Sequence, residues 1–191
     1  MKLQIGATAV IYHGTIGFMH QLILLRHAKA ETETKGQADH DRALTDKGRF
    51  AAKKIGQAMR KAGLAPQVVL VSTATRTQQT LEELENALVW DEWPNIDSLP
   101  QLYMATPLQI LGTLHDLPET VRSAIVIGHN PGLHELALTL AGPARPDAAA
   151  TRIDESYPTA ALSEFLITTT WRQVGPGAAS LTRFLQPSDI A

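Results

Sequence analysis

Gln21-Leu22-Ile23-Leu24-Leu25-Arg26-His27-Ala28 is the stretch that decides the fold. After Gln21, Leu22 to Leu25 form a short apolar run of the kind found in a strand buried on both faces of a parallel sheet. The run ends abruptly at Arg26-His27, and a polar loop rich in Glu, Thr and Asp follows over residues 30–42. Two later stretches repeat the pattern. Val68 to Val71 leads into Ser72-Thr73-Ala74-Thr75-Arg76, and Ala124 to Ile127 leads into Gly128-His129.

Helical patterns separate these strands. Thr45 is placed to cap a helix running to about Ala62 and stopped by Gly63. Ala51, Ile55, Ala58, Met59 and Ala62 recur at helical spacing along it. A second helix carries Thr77, Leu81, Leu84 and Leu88 on one face. Residues 90–100 read as a connection. Thr106-Pro107 opens a short helix to about His115. Asn130-Pro131 reads as cap plus Pro for another helix, with a Leu133, Leu136, Ala137 and Leu140 stripe ended by Gly142. Residues 143–160 read as a Pro- and Ala-rich loop. Leu162 to Thr168 and Ser180 to Leu185 read as late strands, a hairpin around Gly175-Pro176-Gly177. The alternation predicts an α/β fold with helices on both faces of a sheet.

The 191 residues, 44% hydrophobic and 19% charged, predict one globular domain with its own core. The net charge of −2 argues against a broad nucleic-acid surface. No apolar run approaches the roughly 20 residues of a membrane span. Residues 1–18 lack a small-x-small cleavage site, and His13, Gly14 and Gly17 interrupt their apolar stretch, so no signal peptide is expected. Met19 is the expected natural start, which makes residues 1–18 a peripheral extension or a mis-called start and 19–191 the domain. Cys is absent, which excludes thiol chemistry and fits a cytoplasmic location.

In open α/β sheets ligands bind at the carboxyl ends of the strands. Parallel strands would therefore bring Arg26, His27, Arg76 and His129 to one crevice. Two guanidinium forks and helix N-termini suit a phosphate. A His in that setting can attack phosphorus and carry the phosphoryl group, while the Arg side chains stabilise the equatorial oxygens. Neither a cofactor nor a metal is needed if the guanidinium groups supply the charge. Of the other histidines, His134 reads as structural, and His13, His20, His40 and His115 as loop or surface residues. Trp90, Trp93 and Trp171 are expected to pack.

These residues carry a resemblance. Leu25-Arg26-His27-Ala28, Leu44-Thr45-x-x-Gly48, Ser72-x-Ala74-x-Arg76-Thr77-x-Gln79-Thr80 and Gly128-His129-Asn130-Pro131-Gly132 resemble, in order, the motifs of the histidine phosphatase superfamily, also called phosphoglycerate mutase-like. Tyr157-Pro158-Thr159-Ala160 is similar to a late motif of the family. The short length and the Gly-His-Asn-Pro-Gly-Leu-His form look most like the SixA-type phosphohistidine phosphatases. The resemblance implies a three-layer α/β/α sandwich with a mostly parallel mixed sheet. It also implies His27 as nucleophile, with Arg26, Arg76 and His129 binding phosphate. The substrate it implies is phosphohistidine on a protein, as in phosphorelay signal transduction.

One departure concerns the general acid. Larger members place a carboxylate where this chain has Leu102-Tyr103-Met104-Ala105-Thr106. Glu31, Glu33, Asp39 and Asp41 in the first loop are the remaining candidates. A missing acid handicaps alkyl phosphates, whose alkoxide leaves poorly without a proton, more than P–N bonds. The alternatives are a phosphatase of small phosphomonoesters, or a weakly catalytic module that binds a phosphorylated ligand. The sequence does not specify an oligomeric state.

Overall fold

The computed structural model describes residues 19–87, 92–142 and 148–190. The extension read over residues 1–18, Leu88, Trp90 and His13 lie outside the described residues. Six strands form one sheet in the order β3-β2-β4-β1-β5-β6. β1 (His20–Arg26) is central, parallel to β4 (Ser123–Gly128) and antiparallel to β5 (Leu162–Ile167). β2 (Val68–Ser72) lies parallel to β4 and to the edge strand β3 (Asn95–Leu99). β6 (Ala179–Leu185) pairs antiparallel with β5. The sheet is thus mixed and mostly parallel around the predicted crevice.

The period of two along each strand divides the core. Ile23, Leu25, Val69, Val71, Ile125 and Ile127 pack with Ile55 and Met59 of α1 (Asp46–Lys61) and Leu81 and Leu84 of α2 (Thr75–Ala87). Leu22, Leu24, Leu70 and Val126 face the other way. They meet Ile110 and Leu114 of α3 (Pro107–His115), Leu133 and Leu136 of α4 (Gly132–Ala141), and Ile153 of α5 (Ala148–Glu155). Helices therefore cover both faces, giving the three layers.

Two caps form as the sequence predicts. Thr45 accepts from the Gly48 N–H at 2.9 Å, and Thr106 forms a capping box with Gln109. Other expectations need correction. Asn130 does not cap α4: its amide donates to the Tyr157 carbonyl at 2.9 Å, and Pro131 takes the cap position. The stretch 90–100 contains β3, whose Asn95 to Ser98 are exposed, so it lacks the apolar signal of a buried strand. The 143–160 loop contains α5, whose Ala run hides the helical spacing of its core anchor Ile153.

His20 is not a surface residue. It is buried in β1, with Nδ1 against the Val121 carbonyl, Nε2 against Glu119 (both 3.0 Å) and its ring beside Trp171. Trp171 is core and Trp93 is exposed. His115 ends α3 with Nε2 on the Val174 carbonyl, and His134 bonds the Ile153 carbonyl. No described helix is long and apolar enough to cross a membrane.

Candidate active site

The sheet register brings the site together. Arg26 pairs with Gly128 across β1 and β4, and Val71 with Ile127 across β2 and β4, so three strand ends finish side by side. His27 follows β1 and its N–H still bonds the Gly128 carbonyl at 3.1 Å. His129 follows β4, and Arg76 lies in the first turn of α2. His27, Arg76 and His129 are all buried, at 8%, 2% and 3% exposure. The rings of His27 and His129 lie 5.1 Å apart.

The motif residues around them have mechanical roles. Thr80 accepts from the Ala28 N–H at 3.0 Å and donates to the Arg76 carbonyl at 2.6 Å, tying α2 to the His27 loop. Thr77 donates to the Ser72 and Ala74 carbonyls, and the Gln79 side-chain oxygen accepts from the Leu44 N–H. The Tyr157 carbonyl accepts from both Arg26 Nη1 and Asn130 Nδ2. Gly48 sits where a Cβ would collide with the Lys29 carbonyl, which also accepts from the Thr45 N–H. Gly48→Ala is therefore expected to cost about 1–3 kcal/mol, read as a lower urea midpoint with the slope unchanged.

The His27 ring is set for one task. Its Nδ1–H donates to the Ala28 carbonyl at 2.7 Å, which leaves the Nε2 lone pair available. Burial lowers its pKa to about 4, helped by the charges of Arg76, Arg26 and Arg42 and opposed by the Ala28 bond. Burial, then His27 and Arg76, lower His129 to about 3. Both rings are therefore neutral at physiological pH.

Two pH dependences follow. If neutral His27 carries the reaction, single-turnover rates stay flat from pH 7 to about 5 and fall below about 4. Stability falls earlier. Between the ordinary His value near 6.5 and about 4, the unfolded chain binds protons that folded His27 does not, so acidification through this window favours unfolding. Urea midpoints measured from pH 7 down to 4 should decline throughout.

Three buried nitrogens here have no protein partner: Arg26 Nε, Arg76 Nε and His129 Nδ1. Buried donors without partners are rare, and an oxyanion would satisfy such a cluster. His129 Nε2 meets Ser72 Oγ at 2.8 Å; when the hydroxyl donates, Nδ1 keeps the proton and can offer it to phosphate. Among the described residues, no group of three or more His, Asp or Glu side chains is placed to hold a metal ion.

Of the acid candidates, Glu31, Glu33 and Asp41 are exposed on the first loop. Asp39 alone reaches the site, but it is fully engaged. Its Oδ2 accepts from Tyr103 at 2.7 Å and Arg76 Nη2 at 2.9 Å, its Oδ1 accepts from Arg42, and its carbonyl accepts from Arg76 Nη1. The Tyr103 hydroxyl first, then Arg42 and Arg76, hold this carboxyl well below the usual carboxylate range. It is therefore a poor proton donor. Tyr103 and Arg42 are the residues that sequence reasoning missed. The only local signal for Arg42 was its place beside Leu44-Thr45; that for Tyr103 was its place in the stretch where larger members carry a carboxylate.

Residues 22–99 match the histidine phosphatase superfamily (branch 1). An uncharacterized protein of Mycobacterium tuberculosis is 34% identical over 168 residues, 85% of this chain and 99% of that one. Among solved structures, a candidate phosphohistidine phosphatase SixA from Nakamurella multipartitia superposes with a TM-score of 0.76 at 26% identity, covering 88% of this chain and 96% of its own. The chain belongs to the histidine phosphatase superfamily. Another solved structure, the protein histidine phosphatase SixA complexed with tungstate, shares the fold at a TM-score of 0.71 and 22% identity, covering 88% of this chain and 98% of its own. Superfamily membership together with the SixA-type likeness supports phosphatase activity on a phosphorylated substrate.

Proposed function

We propose that this histidine phosphatase removes the phosphoryl group from phosphohistidine on a protein, through a phospho-His27 intermediate. One observation carries the substrate reading: three buried nitrogens without a protein partner lie in the crevice of a neutral His, yet among the described residues the one carboxyl candidate that reaches it, Asp39, is not free to supply a proton. Such a site favours a leaving group that departs without an enzymic acid. An imidazole nitrogen does so, because it takes its proton from solvent as it leaves, whereas an alkoxide does not.

In the first step the Nε2 lone pair of His27 forms a bond to phosphorus, and the electron pair of the P–N bond returns to the substrate nitrogen. Arg26, Arg76 and His129 hold the three equatorial oxygens. The phosphorylated ring is cationic, and its Nδ1–H donates to the Ala28 carbonyl, which stabilises that charge. In the second step water attacks phosphorus. The P–Nε2 electron pair returns to His27, and the water proton passes to phosphate or solvent. The two Arg side chains supply the positive charge that a metal would otherwise bring, so a chelator is expected to leave the rate unchanged. The lack of Cys fits a cytoplasmic setting for this chemistry.

The test compares phosphate release from a phosphohistidine peptide with release from an alkyl phosphomonoester, both with chelator present. Fast release from the peptide and slow release from the ester is the expected result. The reverse order would assign the chain to small phosphomonoesters. Tight binding of the peptide without release would make it a binding module.

A further inference from the structure

Four aromatic rings lead outward from the nucleophile. His27 and His129 lie 5.1 Å apart, Tyr103 stands edge-on to His129 at 5.5 Å, and His40 meets Tyr103 at 5.0 Å. Burial relaxes along this series. The two inner rings are buried, Tyr103 is half-buried, and the His40 side chain is 37% exposed. An in-line displacement at phosphorus places the leaving group opposite His27 Nε2. The buried floor and the strand ends lie on the His27 side, so the leaving group must lie towards the open end of the series, beside Tyr103 and His40.

We propose that the Tyr103 and His40 rings form a specificity wall for a phosphoryl group carried on a planar aromatic ring, imidazole in particular. The proposal rests on the P–N reading above and names the residues that recognise the rest of the substrate. Both rings are fixed through their polar atoms. The Tyr103 hydroxyl donates to Asp39, itself held by Arg76 and Arg42, and His40 Nε2 meets Thr73 Oγ1 at 3.0 Å. The Arg76 guanidinium lies over the Tyr103 ring at 5.8 Å from its centroid, so the wall offers the ring surface that Arg76, His129 and His40 leave open, and rings already fixed lose little entropy on binding. Offset or edge-on contacts between aromatic rings are individually modest but directional. A flexible polyol would gain nothing from such a wall.

The experiment compares two P–N donors, N-phosphoimidazole and phosphoramidate, which differ in the ring. The quantity read is the ratio of their kcat/KM values within each variant, so differing yields of folded protein cancel. In Tyr103→Leu, and in His40→Ala, the ratio is expected to fall about five- to tenfold in favour of phosphoramidate. Tyr103→Phe keeps the ring and loses only the hydroxyl, so its ratio should match wild type. An unchanged ratio in Tyr103→Leu overturns the wall. So does an equal fall in Tyr103→Phe, which would trace the effect to the Asp39 bond. Wild-type protein that turns over neither donor would instead sink the P–N reading itself, a result distinct from the other two.

Discussion

His27→Ala is expected to lower kcat/KM on a phosphohistidine peptide by about 10⁴-fold or more, the scale seen when a covalent nucleophile is removed. The substitution deletes the Nε2 that would carry the phosphoryl group, and nothing nearby can replace it. His129 points Nε2 at Ser72, not at a reacting atom, and Tyr103 is committed to Asp39. Binding should survive, because Arg26, Arg76 and His129 remain. The variant should still titrate with tungstate and should show no burst of phosphate in a rapid-quench experiment. A loss below tenfold would exclude His27 as the phosphoryl carrier.

Arg76→Ala should cost about 10²–10³-fold in kcat/KM, the range for removing one preorganised donor from developing charge. Arg76 is almost fully buried, and both of its terminal nitrogens are bound to Asp39. Its Nε has no protein partner and is free to donate to phosphate, beside the second N–H of each terminal nitrogen. Arg76→Lys should recover little activity, because the three donors of an ammonium share one nitrogen and cannot reproduce the planar fork that spans Asp39 and phosphate. The same variants separate binding from chemistry. If Arg76 acts on the transition state, kcat falls more than the affinity for tungstate; an effect on KM alone would reduce it to a ground-state anchor.

The parts of the molecule that could be read in the sequence are those whose signal is local. β1, β2 and β4 are nearly unbroken apolar runs because helices cover both their faces. Thr45 and Thr106-Pro107 announce helix starts by the bonds their own side chains make. Arg26, His27, Arg76 and His129 could be grouped because parallel strands finish together and each residue lies at or shortly after a strand end.

What escaped depends on meetings between distant residues. Tyr103 matters to the site because it meets Asp39, 64 positions earlier, and nothing in Leu102-Tyr103-Met104 foretells that. Asp39 looked like a possible acid until the fold surrounded it with Arg42, Arg76 and Tyr103. His20 looked like a surface residue because its burial depends on Glu119 and Trp171. β3 is polar because an edge strand needs no apolar face and is safer without one.

The short bond from His27 Nδ1 to the Ala28 carbonyl also fixes regiochemistry. With Nδ1 occupied by a proton that the backbone holds, only Nε2 would be open to phosphorylation. Phosphohistidine on partner proteins can carry its phosphoryl group on either nitrogen, but the carrier on this enzyme would be a single positional isomer. Protein quenched in mid-turnover should therefore give one phosphohistidine resonance in a ³¹P spectrum, whichever isomer of the substrate was supplied.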